Sequence, residues 1–275
     1  MRLRRIAAVC LMCGSAWAPA QQAGPPEAAA PEEQAKPLDR MRDYALNYTL
    51  RLPDFICLEE TRRYVDATGQ QAWRLVDVLA ARLSYFNQKE EYKLVSQNGR
   101  TATDASYESA GGTLSMGDFG TTMHDIFDPA SHTTFAWVRS ATLRGRPTRV
   151  FSYRVSLPLY TIEYQGEARE GVQRTKAAYR GMVFADRELN TIVRITHEAV
   201  NIPPSFAVRD ASETLDYGFI EIGGSQYFLP LTATLQMHVR TYGGVVATRN
   251  EKEFRSYRKF SAAAAIKFDA PQAQQ

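Results

Sequence analysis

The chain has 275 residues, 44% of them hydrophobic, with 33 Lys and Arg against 30 Asp and Glu. Arg2, Arg4 and Arg5 lie in residues 1–20, which hold no acid, so the remainder is balanced at 30 against 30; this excludes a nucleic-acid or anionic-membrane binder working through bulk charge. Of three cysteines, Cys10 and Cys13 fall in that first segment, and Cys57 alone has no internal disulfide partner.

Residues 1–20 read as a signal peptide. Three arginines precede a short apolar run, and Ala18-Pro19-Ala20 supplies the small-x-small pattern of a cleavage site. The run falls short of the ~20 residues a bilayer requires, and no later stretch approaches that length without a charge. The expectation is export to the periplasm or beyond, with cleavage near Ala20 and no transmembrane segment in the mature chain. Val9 and Met12 precede the two early cysteines where lipidation needs a small residue.

Residues 21–36 are Pro, Ala, Glu and Gln with little apolar surface, the composition of a flexible linker. Residues 269–275 form a similar tail. Between them, 37–268 read as a single β-rich domain. Its first element is helical: Leu38, Met41, Ala45, Tyr48 and Leu52 share one face, and Pro53 stops the run. From there the period becomes two. Strands are expected over 61–65, 73–86, 90–96, 134–143, 149–157, 160–164, 178–185, 191–200, 212–222, 229–239 and 245–257. The clearest is 229–239, where Leu229, Leu231, Ala233, Leu235, Met237 and Val239 alternate with mostly polar residues. Asn98-Gly99, Gly223-Gly224 and Gly243-Gly244 provide hairpin turns, so neighbouring strands should be antiparallel. One glycine-rich loop, 106–120, interrupts the series. It leads into a short second helix carrying Met116, Phe119, Met123, Ile126 and Phe127, ended by Pro129.

Reactive groups are few, and each has a simpler reading. Ser115 sits in Leu-Ser-Met-Gly, which lacks the first glycine of a nucleophile elbow and reads as a helix cap. Cys57 lies among apolar neighbours with no histidine nearby in sequence and reads as a small buried hydrophobe. A hydrolase using Ser115 or Cys57 is therefore the third-ranked function. His124, Asp125, Asp128 and His132 form the only cluster with metal-ligand chemistry, and Pro129 breaks their helical spacing; no metal and no cofactor is expected. Arg255, Arg258 and Lys259 read as charges on an outer strand face.

What remains is a large aromatic and methionine content with only two short helices to cover an apolar sheet face. The turn chemistry of the C-terminal half resembles the periplasmic lipoprotein-carrier, or outer-membrane lipoprotein-sorting (Lol-type), family. The resemblance rests on Tyr179-Arg180-Gly181-Met182-Val183-Phe184-Ala185-Asp186-Arg187-Glu188 running through Leu189-Asn190-Thr191 into the next strand. It rests also on Asp216-Tyr217, Ile222-Gly223-Gly224 and Leu229-Pro230. It covers about 175–260, while the long linker and residues 48–86 depart from it.

The resemblance implies an unclosed antiparallel half-barrel, mainly β, capped by helices, whose interior takes acyl chains. Alternation places Leu231, Leu235 and Met237 on that interior, with Val193, Ile195, Met123 and Phe127 opposite. The expected function is non-catalytic binding of a lipid, an acyl chain or a lipoprotein. The alternative is a cell-envelope structural or interaction module with a filled core and a protein partner.

Overall fold

The computed structural model describes residues 31–102, 106–111, 113, 118–165 and 172–260. The signal-peptide reading, most of the linker, Ser115, Met116 and the C-terminal tail lie outside the described residues.

Eleven strands form one antiparallel sheet: β1 (Phe55–Asp66), β2 (Arg74–Phe86), β3 (Lys89–Gln97), β4 (Arg100–Thr101), β5 (Thr134–Leu143), β6 (Arg146–Gln165), β7 (Val172–Asp186), β8 (Ile192–Val200), β9 (Val208–Ile222), β10 (Ser225–Thr241) and β11 (Gly244–Lys259). Two meanders, β1–β4 and β5–β11, join where β1 pairs with β11, giving the order β4-β3-β2-β1-β11-β10-β9-β8-β7-β6-β5. β4 and β5 are not paired with one another, so the sheet does not close into a barrel. The expected mainly-β, unclosed antiparallel architecture is the one observed.

Local sequence explains the element limits. In β10, Leu229, Ala233, Leu235, Met237 and Val239 are buried, while Thr232, Gln236 and His238 face water. β6 spans both segments expected at 149–157 and 160–164; Pro158, which has no N–H to give the ladder, sits in an irregularity between Val155 and Tyr160.

Helix α1 (Pro31–Leu46) begins inside the segment read as linker and stops short of Leu52; a 3-10 turn, Thr49–Arg51, comes next. Asn47 Nδ2 donates to the Asp43 carbonyl at 2.9 Å and satisfies one of the last helical acceptors. The expected face holds: Met41, Ala45 and Tyr48 are buried, and Leu38 and Leu52 pack against the core. Helix α2 (Thr121–Phe127) is shorter than the run from Met116 implied. It ends where Asp128 turns extended (φ −60°, ψ 127°), as expected for the residue before a proline.

Candidate functional site

The candidate site is the covered, apolar face of the sheet and its cover. The main cluster gathers Phe151, Val155, Val183, Ile195, Leu215, Leu229 and Ala233 from the strands. Above them lie Met41, Ala45 and Tyr48 from the α1 segment and Met123, Ile126 and Phe127 from α2. Gly120 (φ +124°) joins the two parts of the cover. A Cβ there would stand 2.7 Å from Thr49 Cγ2 and 2.9 Å from Tyr48 Cδ1, so only glycine lets the loop press onto α1. Tyr48 in turn donates from its hydroxyl to the Phe228 carbonyl at 2.9 Å.

The residues expected to line the interior are not all brought together. Ile195, Met123 and Phe127 belong to the main cluster. Leu235 and Met237 belong to a second one, with Ala177, Ala199, Ala211, Val208 and Val239. Leu231 and Val193 lie outside both, because each is the extra residue of a register shift. Pairing passes from Pro230–Tyr217 to Thr232–Asp216, which leaves Leu231 unpaired and lying over Gly218. It likewise passes from Ala185–Ile192 to Phe184–Arg194, which puts Ile192 where Val193 was expected. At each bulge the extra residue falls out of the simple alternation.

Sequence reasoning missed the polar residues that point inward and hold the loop before α2. Arg63 donates to Asp77 through Nε (2.7 Å) and Nη2 (2.6 Å), and it also reaches the carbonyls of Ala110 and Gly111. Despite its burial, Asp77 is held below the usual carboxylate range by Arg63 and Gln97. Asn250 Nδ2 donates to the Thr113 carbonyl at 2.6 Å. Lys252 Nζ donates to Asp118 Oδ2 at 2.8 Å and lies 3.8 Å from Glu59 Oε2. Tyr107 and Thr61 hydroxyls donate to Glu59 Oε1 at 2.5 and 2.8 Å. Burial pushes the Glu59 carboxyl up against the pull of Lys252. Burial also works against the Lys252 ammonium, yet Asp118 and Glu59 hold its pKa above the ordinary range.

A second polar pair lies deeper, at the seam between the two apolar clusters. His197 on β8 is paired in register with Glu213 on β9, with Nε2 and Oε2 3.4 Å apart. Only 3% of His197 is exposed, and neither ring nitrogen has a hydrogen-bond partner among the described residues. Tyr160 and Tyr179 meet its ring edge-on at centroid distances of 4.9 and 6.3 Å.

Burial brings the imidazole down to about 4, so it is neutral at pH 7. The unfolded chain then binds a proton near pH 6.5 that the folded chain refuses until about pH 4. Stability conferred by neutral His197 is complete above pH 6.5 and is lost as pH falls toward 4. Urea unfolding of the wild type should lose on the order of 3 kcal/mol more over that window than His197→Phe. Parallel pH curves for the two proteins would refute this.

The reactive groups considered from sequence take ordinary positions. Cys57 is fully buried in the main cluster, and burial pushes its thiol well up, so it carries no thiolate at pH 7. In the chain from Gln21 onward it should resist Ellman's reagent until denaturant is added; rapid labelling of the folded protein would contradict the cover described. The side chains of His124 and Asp125 are both well exposed, and their nearest atoms are 3.7 Å apart. Asp128 Oδ1 accepts from the Ala130 N–H at 2.8 Å. Among the described residues no three His, Cys, Asp or Glu side chains converge as metal ligands. Arg255 pairs with Glu60 across β11 and β1. An open groove of about 770 Å³ runs over Gly181, edged by Ser152, Met182, Thr196 and Thr214 and by charged Arg154, Arg180 and Glu198, and His197 and Glu213 also line it. Its polar, charged rim is unlike an acyl-chain site.

Together these features define a class: an unclosed antiparallel sheet whose apolar face is roofed by two helices and a polar-anchored loop. No known family's sequence pattern matches the chain, and no curated protein matches it in sequence. Among solved structures it is similar to a DUF1329 family protein from Desulfovibrio piger, at 9% identity over 84% of this chain and 97% of that one, TM-score 0.36. A putative outer membrane lipoprotein-sorting protein domain from Vibrio parahaemolyticus is similar at 10% identity over 84% and 94%, TM-score 0.32. A LolA superfamily protein from Nitrosomonas europaea is similar at 8% over 83% and 96%, TM-score 0.29. Among the described residues no helix is long and apolar enough to cross a membrane.

Proposed function

We propose that this is a periplasmic, non-catalytic binding protein that takes a lipid, an acyl chain or the acylated end of a lipoprotein onto its covered face. The observation that supports this reading is the construction of the cover. The face is closed by two helices and a glycine-containing loop, not by further strands, and polar contacts hold the loop at Glu59, Arg63, Asn250 and Lys252. Such a cover lifts without unpairing the sheet. An acyl chain laid in its place gains about 0.8 kcal/mol per buried methylene, so a dozen methylenes supply useful affinity with no polar contact.

Native mass spectrometry of the mature protein, drawn gently from its own envelope, tests the reading. A removable adduct of acyl-lipid mass is the expected result. A bare protein that also fails to take up a fluorescent fatty acid would exclude it. The packing of Met41, Tyr48, Met123 and Phe127 onto the sheet favours a second reading, in which the core is permanently filled and the protein is an interaction module of the envelope. That reading requires a copurifying protein and no lipid.

A further inference from the structure

We infer that the His197–Glu213 pair is the recognition point for the uncharged, hydroxyl-bearing head of an amphiphile whose chain lies along the covered face. This rests on the acyl-binding reading above and names the head group that reading leaves open. The position is specific. On β8 the inward residues run Ile195, His197, Ala199, and on β9 they run Leu215, Glu213, Ala211; the outer members of both series are apolar. The pair therefore interrupts the apolar run of β8 and β9 where the main cluster meets the second. Short residues on one side and two tyrosine rings on the other surround the pair. Gly181 is the cross-strand neighbour of His197, and Ala177, Ala199 and Ala211 floor the adjoining cluster.

A buried imidazole with neither nitrogen hydrogen-bonded is costly, and native proteins rarely leave such a group without a role. The chemistry of the pair selects its ligand. A neutral imidazole offers one N–H donor and one bare nitrogen acceptor, and the adjacent carboxyl oxygens accept as well. A hydroxyl matches this set, because it accepts from the ring N–H and donates to a carboxyl oxygen. A carboxylate head would set a second acid beside Glu213 in a poorly screened interior. An ammonium head would leave the ring N–H without an acceptor.

The test uses the mature protein, an apolar fluorescent dye, and three displacing amphiphiles of one chain length, each kept below its aggregation concentration. These are 1-monomyristoylglycerol, myristate and tetradecylamine. The monoglyceride should displace the dye at about tenfold lower concentration than either charged amphiphile, the worth of one well-made buried hydrogen bond. In His197→Phe that preference should fall to within about twofold, each displacement being read against that variant's own dye affinity. Glu213→Gln provides the same comparison should the phenylalanine variant fail to fold. Equal potency of the three in the wild type overturns the inference, as does a preference that survives both substitutions. Dye binding without discrimination removes this inference alone; absence of any binding removes it together with the acyl-binding reading.

Discussion

Replacing Lys252 with methionine is expected to lower stability by about 3–5 kcal/mol, the usual result of removing one partner from a buried ion pair. The ammonium lies between Asp118 and Glu59, and all three side chains are almost wholly buried. Methionine fills much of the volume but leaves two carboxyls with no cation. One or both must then take up a proton or draw in water. In the variant the folded pKa of Glu59, raised by burial and no longer pulled down by Lys252, stands above the unfolded one. The penalty is therefore absent below about pH 4, grows as pH rises past the unfolded carboxyl value, and is largest near neutrality.

Chemical denaturation at pH 7.5 and pH 4.5 reads this directly, and a loss that stays flat with pH would contradict the charge argument. The double variant Lys252→Met, Glu59→Gln should recover part of the loss, because it removes one of the two stranded acids. A further consequence concerns the cover. Asp118 lies just before Gly120 and α2, so its release should loosen the chain around 118–120 and speed the labelling of Cys57. Lys252 would then stabilise the fold and hold the cover with one contact.

Gly181→Ala is the second large effect, at about 3 kcal/mol or more, and its cause is steric. A Cβ at this position would stand 1.8 Å from the carbonyl oxygen of Thr196 and 2.7 Å from its carbonyl carbon. These are backbone atoms of β8, and they cannot withdraw without breaking the β7–β8 ladder. The space has an occupant already. Tyr153, the cross-strand neighbour of Gly181 on β6, donates from its hydroxyl to that same Thr196 carbonyl at 3.1 Å. A tyrosine thus spans the gap a glycine leaves, a device that recovers packing where a strand lacks a side chain. Tyr153→Phe loses only the hydrogen bond and should cost about 1 kcal/mol. Comparable denaturation midpoints for Gly181→Ala and the wild type would show that the strands separate more easily than this geometry allows. Since Gly181 also adjoins His197, the alanine variant should disturb the seam between the apolar clusters before it disturbs the β1–β4 meander.

Much of this protein was legible from local pattern. The 3-4-3-4 spacing of Leu38, Met41, Ala45 and Tyr48 identified the covering face of α1, because a helix repeats every 3.6 residues whatever lies beneath it. The alternation of 229–239 identified a strand with one wet side, and the glycine turns gave antiparallel neighbours. Pattern failed where a bulge inserted one residue. Leu231 and Val193 were assigned to the interior by parity, and each is left unpaired at a register shift and outside both apolar clusters, although Val193 is buried.

It failed again where polar side chains face inward. Alternation reads polar as outward, yet Glu59, Thr61 and Arg63 on β1, with Asn250 and Lys252 on β11, point toward the loop they hold. Asp118 meets a lysine 134 positions away, and the β1–β11 pairing that makes this contact possible joins the two ends of the domain. His197 and Glu213 each looked like one more polar residue in a strand, and only the β8–β9 register set them opposite one another between two apolar clusters. The amino-acid sequence by itself determined which segments are strands, which faces are apolar and that a cover is needed, since these arise from periodicities a few residues long. Tertiary structure alone decided the pairing of β1 with β11, the bulges and the placing of buried charge, because each depends on contacts between residues far apart in the chain.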